Sequence, residues 1–198
     1  MRVATLLPLA AALFVAVPTT THLGVREAAA SVAVEMTLAD VLARADRVVV
    51  ATPLDTRSVW EREDGARSLR IATYTRLRVE RSLDGAPSAE VWVRTLGGRV
   101  DSIGQHVDGE ATFVQGESVL LFLRSRTDGT HVVIGRAQGE LRVVDVAGAR
   151  HLLPPAAPGV LLPPNGGPVV PAIHSALSGK TLDEAASLIA RERAAHAH

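Results

Sequence analysis

The chain has 198 residues, 47% of them hydrophobic, with 21 basic against 21 acidic side chains and no cysteine. The charge balance excludes a protein organised around one global field of either sign, and the missing thiols exclude a disulfide framework, thiolate metal sites, a cysteine nucleophile and a lipid-modified cysteine. Lysine occurs only at 180, and the arginines that make up the rest are spread evenly, so they name no partner.

Arg2 followed by an apolar run over residues 3–17, broken by Thr5 and Pro8, is the plan of a secretory signal. The run is shorter than the roughly 20 residues a membrane-spanning helix needs, and Ala28-Ala29-Ala30 offers a small-residue cleavage site before Ser31. An uncleaved anchor is the alternative, because Pro18 and Gly24 stretch the distance to that site. The expectation is a signal peptide over residues 1–30 and a secreted or periplasmic domain over the rest, without a membrane span in the mature chain. The most apolar late stretch, residues 152–173, carries seven prolines and cannot satisfy its backbone as a buried helix. A chain of this size can hold itself by its core, since a domain of roughly 150 residues buries about 70% of its extended-chain surface.

Thr37-Leu38-Ala39-Asp40 reads as a capped start of a short helix running to about Ala45, with Leu38, Val41 and Leu42 on one side. The period then changes. Val48-Val49-Val50-Ala51 is apolar on both faces, as in a strand covered by the core on one side and a helix on the other, and Pro53 calls for a bulge or an edge. Glu63-Asp64-Gly65 is turn chemistry. From Leu69 the alternation is clean: Leu69, Ile71, Thr73, Thr75, Leu77 and Val79 point one way, while Arg70, Ala72, Tyr74, Arg76, Arg78 and Glu80 point the other.

Asp84-Gly85-Ala86-Pro87 turns the chain into a third strand over 90–95, with Val91 and Val93 inward and Trp92 and Arg94 outward. A glycine-punctuated excursion over 98–116 is expected to hold one short strand near 111–114. Residues 117–124 form a dense apolar strand, Asp128-Gly129 a hairpin signal, and 131–135 and 141–146 two further strands with a kink at Gly139. Short strands separated by turns, with no alternating helices, point to a mainly β protein with a single antiparallel β-barrel, OB-like, over residues 31–150. Residues 151–179 form a linker rich in proline and glycine. Thr181-Leu182-Asp183-Glu184 then caps a helix within 180–198, whose stripe of Leu182, Ala185, Ala186, Leu188 and Ile189 must dock on the barrel.

The order of a short helix, Ala45-Asp46-Arg47-Val48-Val49-Val50-Ala51 entering a long strand, a second strand ending in Leu83-Asp84-Gly85, a third strand and a carboxy-terminal helix resembles the netrin-like module of the tissue inhibitors of metalloproteinases, over residues 38–96. The resemblance implies an OB-fold barrel. That family inhibits through an amino-terminal Cys-x-Cys that chelates the protease zinc; here the expected mature terminus is Ser31-Val32-Ala33, so the inhibitory chemistry is not implied.

Gly116-Glu117-Ser118-Val119-Leu120 begins like a nucleophile elbow but ends in leucine, and reads as a turn entering a strand. Gly179-Lys180-Thr181 ends like a P-loop, but His174 stands where its first glycine belongs, so Thr181 is a helix cap. His106, Asp108 and Glu110 alternate and would share a face if extended, with Asp101 and Ser102 nearby: these are the candidates for a metal site or a small envelope enzyme. The terminal His196-Ala197-His198 lies on a helix end that holds no geometry. The outer face made by Arg70, Tyr74, Arg76, Arg78, Trp92 and Arg94 is the candidate binding surface, since OB-folds bind through stacking aromatics and basic groups on such strands. No cofactor is implied, and an exported, neutral chain is not expected to meet nucleic acid. The leading expectation is a non-catalytic interaction module that contacts an envelope or secreted protein, a protease among the options; the alternative is the His106, Asp108 and Glu110 loop as an enzyme or metal site.

Overall fold

The computed structural model describes residues 32–62, 68–163 and 171–196. The expected signal peptide, the Glu63-Asp64-Gly65 turn and the linker residues 164–170 lie outside them. In chain order the elements are β1 (Val32–Val34), α1 (Leu38–Arg44), β2 (Arg47–Glu61), β3 (Arg70–Asp84), β4 (Glu90–Leu96), β5 (Gly98–Val100), β6 (Ile103–Gln105), β7 (Val119–Ser125), β8 (His131–Val133), a 3-10 turn (Arg136–Gly139), β9 (Glu140–Val146), β10 (Ala149–Leu153), β11 (Val160–Leu162), α2 (Ile173–Leu177) and α3 (Leu182–His196).

Five of these strands close on themselves. β2 pairs with β3, β3 with β4, β4 with β8, β8 with β7, and β7 returns to β2. All are antiparallel except β4 and β8, which run parallel and meet through Val93 and His131. Counted along the chain, the barrel strands therefore stand in the ring order first, second, third, fifth, fourth, and the result is a closed, OB-like barrel. β9 continues along the β7 edge that β8 occupies, with Leu121 opposite Glu140, and β10 hairpins onto β9. The expected linker boundary at 150/151 falls inside β10, whose Leu152 is fully buried.

The two apolar runs of the sequence are apolar for one reason: both of their faces are covered. Val49 and Ala51 on β2 and Val119, Leu121 and Leu123 on β7 fill the barrel with Leu77, Val91 and Val93. Val48, Val50, Leu120 and Phe122 point the other way, into a second core with Leu38, Val41 and Leu42 of α1 and Leu182, Ala185 and Ile189 of α3. Each such large side chain contributes about 1.5–3 kcal/mol on burial.

Both helices start as their sequences dictate. Thr37 Oγ1 accepts from the Asp40 amide at 3.1 Å while the Thr37 amide donates to Asp40 Oδ2 at 3.0 Å, and Thr181 and Glu184 repeat the exchange for α3. The bulge expected at Pro53 is present: the β2–β3 register shifts between Pro53 and Asp55, and Gln115 Nε2 donates to the freed Leu54 carbonyl at 2.7 Å. Gly85 holds the β3–β4 turn at φ 79°, where a Cβ would stand 2.4 Å from the Asp46 carbonyl.

The expected strand at 111–114 does not form. Ala111 and Phe113 are apolar because they pack into the barrel interior from a loop, without ladder partners. The strands of that excursion are β5 and β6, a small hairpin. The proline-rich strap borrows partners instead of folding alone: β11 pairs in parallel with β1, and Ile173 donates to the Met36 carbonyl at 2.9 Å. Among the described residues no helix is long and apolar enough to cross a membrane.

Candidate functional site

The register of the barrel assembles the outer face that the alternation predicts. Tyr74 stands opposite Arg94 on β4 and Arg57 on β2, and Arg76 opposite Trp92 and Asp55. Glu61, at the end of β2, joins them: it accepts from Tyr74 Oη at 3.0 Å and from Arg94 Nε at 3.0 and 3.1 Å. Burial alone would raise the Glu61 carboxyl, but the hydrogen bonds from Arg94 and Tyr74 outweigh it and hold the group below the usual carboxylate range. Arg94 is only 7% exposed. Arg76 meets Asp55 at 2.5 Å and Glu90 at 3.7 Å. Trp92 is 41% exposed, Arg78 is exposed, and Arg70 lies opposite Glu61. Asp55, Glu61 and Glu90 thus take up Arg76 and Arg94, and the face is a lattice of internal ion pairs rather than a basic stripe.

The loop candidates separate. His106 Nε2 lies 3.0 Å from Asp108 Oδ1 with the imidazole 81% exposed, whereas Glu110 turns under the loop and is largely covered. Burial raises the Glu110 carboxyl above its ordinary range, against the opposing charge of Arg136 at 3.9 Å. Among the described residues no three His, Cys, Asp or Glu side chains gather as a metal would require. Ser118 donates to Glu80 at 2.6 Å from the turn that enters β7, and Thr181 caps α3.

Sequence reasoning missed the site that the barrel itself forms. β2 runs on past the end of its pairing with β7, still paired with β3, and the inner face of that extension is lined by hydroxyls: Thr56 opposite Thr75, Ser58 opposite Thr73, and Thr95 on β4 opposite Thr73. Residues 105–107 and 110–113 roof it, leaving a cavity of about 340 Å³. Deeper along the same strands the inward positions are Ala51, Leu77, Val91 and Val93, so the wall changes from apolar to hydroxylic toward the mouth.

Part of this lining is fixed by the protein. Ser58 Oγ and Thr73 Oγ1 are 2.8 Å apart, Thr73 Oγ1 donates to the Gly97 carbonyl at 2.7 Å, and Gln105 Oε1 accepts from the Ile71 amide at 2.7 Å. Gly98, at φ 124°, makes this closeness possible: a Cβ there would stand 2.1 Å from Thr73 Oγ1 and 2.6 Å from Ser58 Oγ. The Thr56 and Thr75 hydroxyls, by contrast, bond to no other described residue, although Thr75 is only 1% exposed. Among the described residues no lysine or arginine lines the cavity. The signal that could have found it is the pair Thr73 and Thr75 at inward positions of a strand, where a closed barrel ordinarily takes apolar side chains.

Across the roof segment lies a smaller space of about 260 Å³, bordered by Thr112, Glu140 and Arg142. Glu140 is 2% exposed and accepts from the Thr112 amide at 3.1 Å. Burial pushes its carboxyl up to about 7. No protein-family model matches the chain, and no curated protein matches it.

Proposed function

We propose that this chain is a non-catalytic binding module of the cell envelope or the surrounding medium, holding its ligand at the mouth of the OB-like barrel. The observation that carries the reading is the concave, hydroxyl-lined surface on β2, β3 and β4 under a loop roof, with two threonine hydroxyls left for a ligand. The loop candidates for an enzyme or metal site do not assemble: His106 and Asp108 pair at the surface while Glu110 turns under the loop, which favours the binding reading over that alternative. Export rests on the apolar leader. The likeness to the netrin-like module is carried over for the barrel alone, since no cysteine is present to chelate a protease zinc.

The test has two parts. Fractionating the producing cells is expected to find the chain in the envelope or medium with its amino terminus shortened near Ala30. Screening the purified protein by thermal shift against panels of small metabolites and glycans is expected to find one class that raises Tm and is recovered chemically unchanged. An intact chain in the cytosol, or conversion of the ligand, overturns the reading.

A further inference from the structure

The geometry points to a neutral, polyhydroxylated ligand at the barrel mouth: a sugar of one or two rings, or the end of a longer glycan. This deepens the binding-module reading and rests on it. Four properties of the cavity select the class together.

First, the strand wall of the cavity presents hydroxyls on adjacent strands, and a hydroxyl both donates and accepts, as the hydroxyls of a sugar do. Second, Thr75 lines the space with a hydroxyl that bonds to no other described residue, on a wall where Val93, of the same shape, stands directly opposite it on β4. A hydroxyl at a position that valine would fill is free to bond a ligand from the cavity. Third, among the described residues the lining offers one carboxyl, Glu110, one imidazole, His106, that already pairs with Asp108, and no lysine or arginine, so a phosphate or carboxylate finds no ammonium or guanidinium in the wall. Fourth, one apolar ring lines the cavity and a second stands beyond its edge on the same strand face. Phe113 stands in the roof, and the β2 alternation places Trp60, 43% exposed, on the same face as Thr56 and Ser58. The C–H face of a pyranose packs on such rings while its hydroxyls reach the strands. The volume of about 340 Å³ suits one or two rings.

The experiment is a titration of the isotopically labelled full chain, followed by amide chemical shifts, with glucose, galactose, mannose, N-acetylglucosamine, cellobiose and chitobiose, and with inorganic phosphate and putrescine as charged comparators. The expected result is saturable shifts for at least one neutral sugar, centred on Thr56, Thr75, Thr95 and Gly97. Thr75→Val keeps the side-chain shape and should weaken that binding about ten-fold, the equivalent of roughly 1.4 kcal/mol. Thr56→Val, at an exposed position, should weaken it as well and keeps the test decisive where Thr75→Val fails to fold. Saturation by phosphate or putrescine alone at these amides overturns the sugar assignment and leaves the binding-module reading standing. Sugar binding that both valine variants retain overturns the site. Saturation by none of the compounds overturns the assignment too, and the binding-module reading then stands or falls on the wider thermal-shift screen.

Discussion

Arg193, near the end of the last helix, donates to the Leu42 carbonyl of the first at 2.7 Å. The same guanidinium donates to the Ala45 carbonyl at 2.7 Å and meets Asp84 of β3 at 2.6 Å, so one side chain closes the C-terminal end of α1 and ties it to the barrel. Arg193→Ala should lower stability by about 2 kcal/mol and Tm by roughly 5 °C, measured by thermal denaturation. Arg193→Lys should recover little of this, because a single ammonium cannot reach three acceptors with a planar fork.

Arg94 and Glu61 should prove coupled. Removing Glu61 takes the ion-pair partner from a guanidinium that is 7% exposed, and Glu61→Ala is expected to cost about 2–3 kcal/mol. A double-mutant cycle with Arg94→Ala should return an interaction energy of about 1–2 kcal/mol, read from urea unfolding. Because the folded-state carboxyl of Glu61 is lowered, its contribution is present above its unfolded value of 4.5 and fades as pH falls through the folded one.

Glu140 works in the opposite sense. Its carboxyl is raised from 4.5 to about 7 in the folded protein, so the native state holds a proton that the unfolded state has already lost. Stability should therefore fall as pH rises from about 4.5 to about 7, with the loss complete above that point and on the order of 3 kcal/mol. Glu140→Gln, which keeps the acceptor for the Thr112 amide, should flatten this part of the profile and be more stable than the parent at pH 8. Melting curves across that pH range check it.

Gly98 and Gly116 make a matched pair, both at positive φ. At Gly116 nothing lies within 4 Å of an added Cβ, and Gly116→Ala should cost only the backbone strain, about 1 kcal/mol. At Gly98 the added carbon collides with Thr73 Oγ1 and Ser58 Oγ, and Gly98→Ala should cost about 3 kcal/mol and deform the hydroxyl wall. Chemical denaturation of the two variants side by side measures the difference.

What could be read from the sequence was what local chemistry controls. The alternation through Thr75 and Leu77, the doubly apolar Val48–Ala51 stretch, the bulge at Pro53 and both capping boxes each follow from a few neighbouring residues. The ring closure was legible only as a class, because β4 and β8 meet through one pair, Val93 and His131, between residues with no local signature of partnership. Arg193 looked like any arginine on a helix until the end of α1 was in place beside it. The barrel-mouth site was hidden for a different reason. Threonine is an ordinary strand former, so Thr56, Thr73, Thr75 and Thr95 read as β-propensity until their register put them around one space.

The parallel pairing of Val32 with Val160 sets an order of events for the nascent polypeptide. The first strand leaves the ribosome early and waits, without its mate, until residues 160–162 have been translated; a synthesis halted before residue 160 strands it. Closing so distant a pair comes late and slowly. A product cut short before β11 should therefore carry an unpaired β1 as well as lacking the strap.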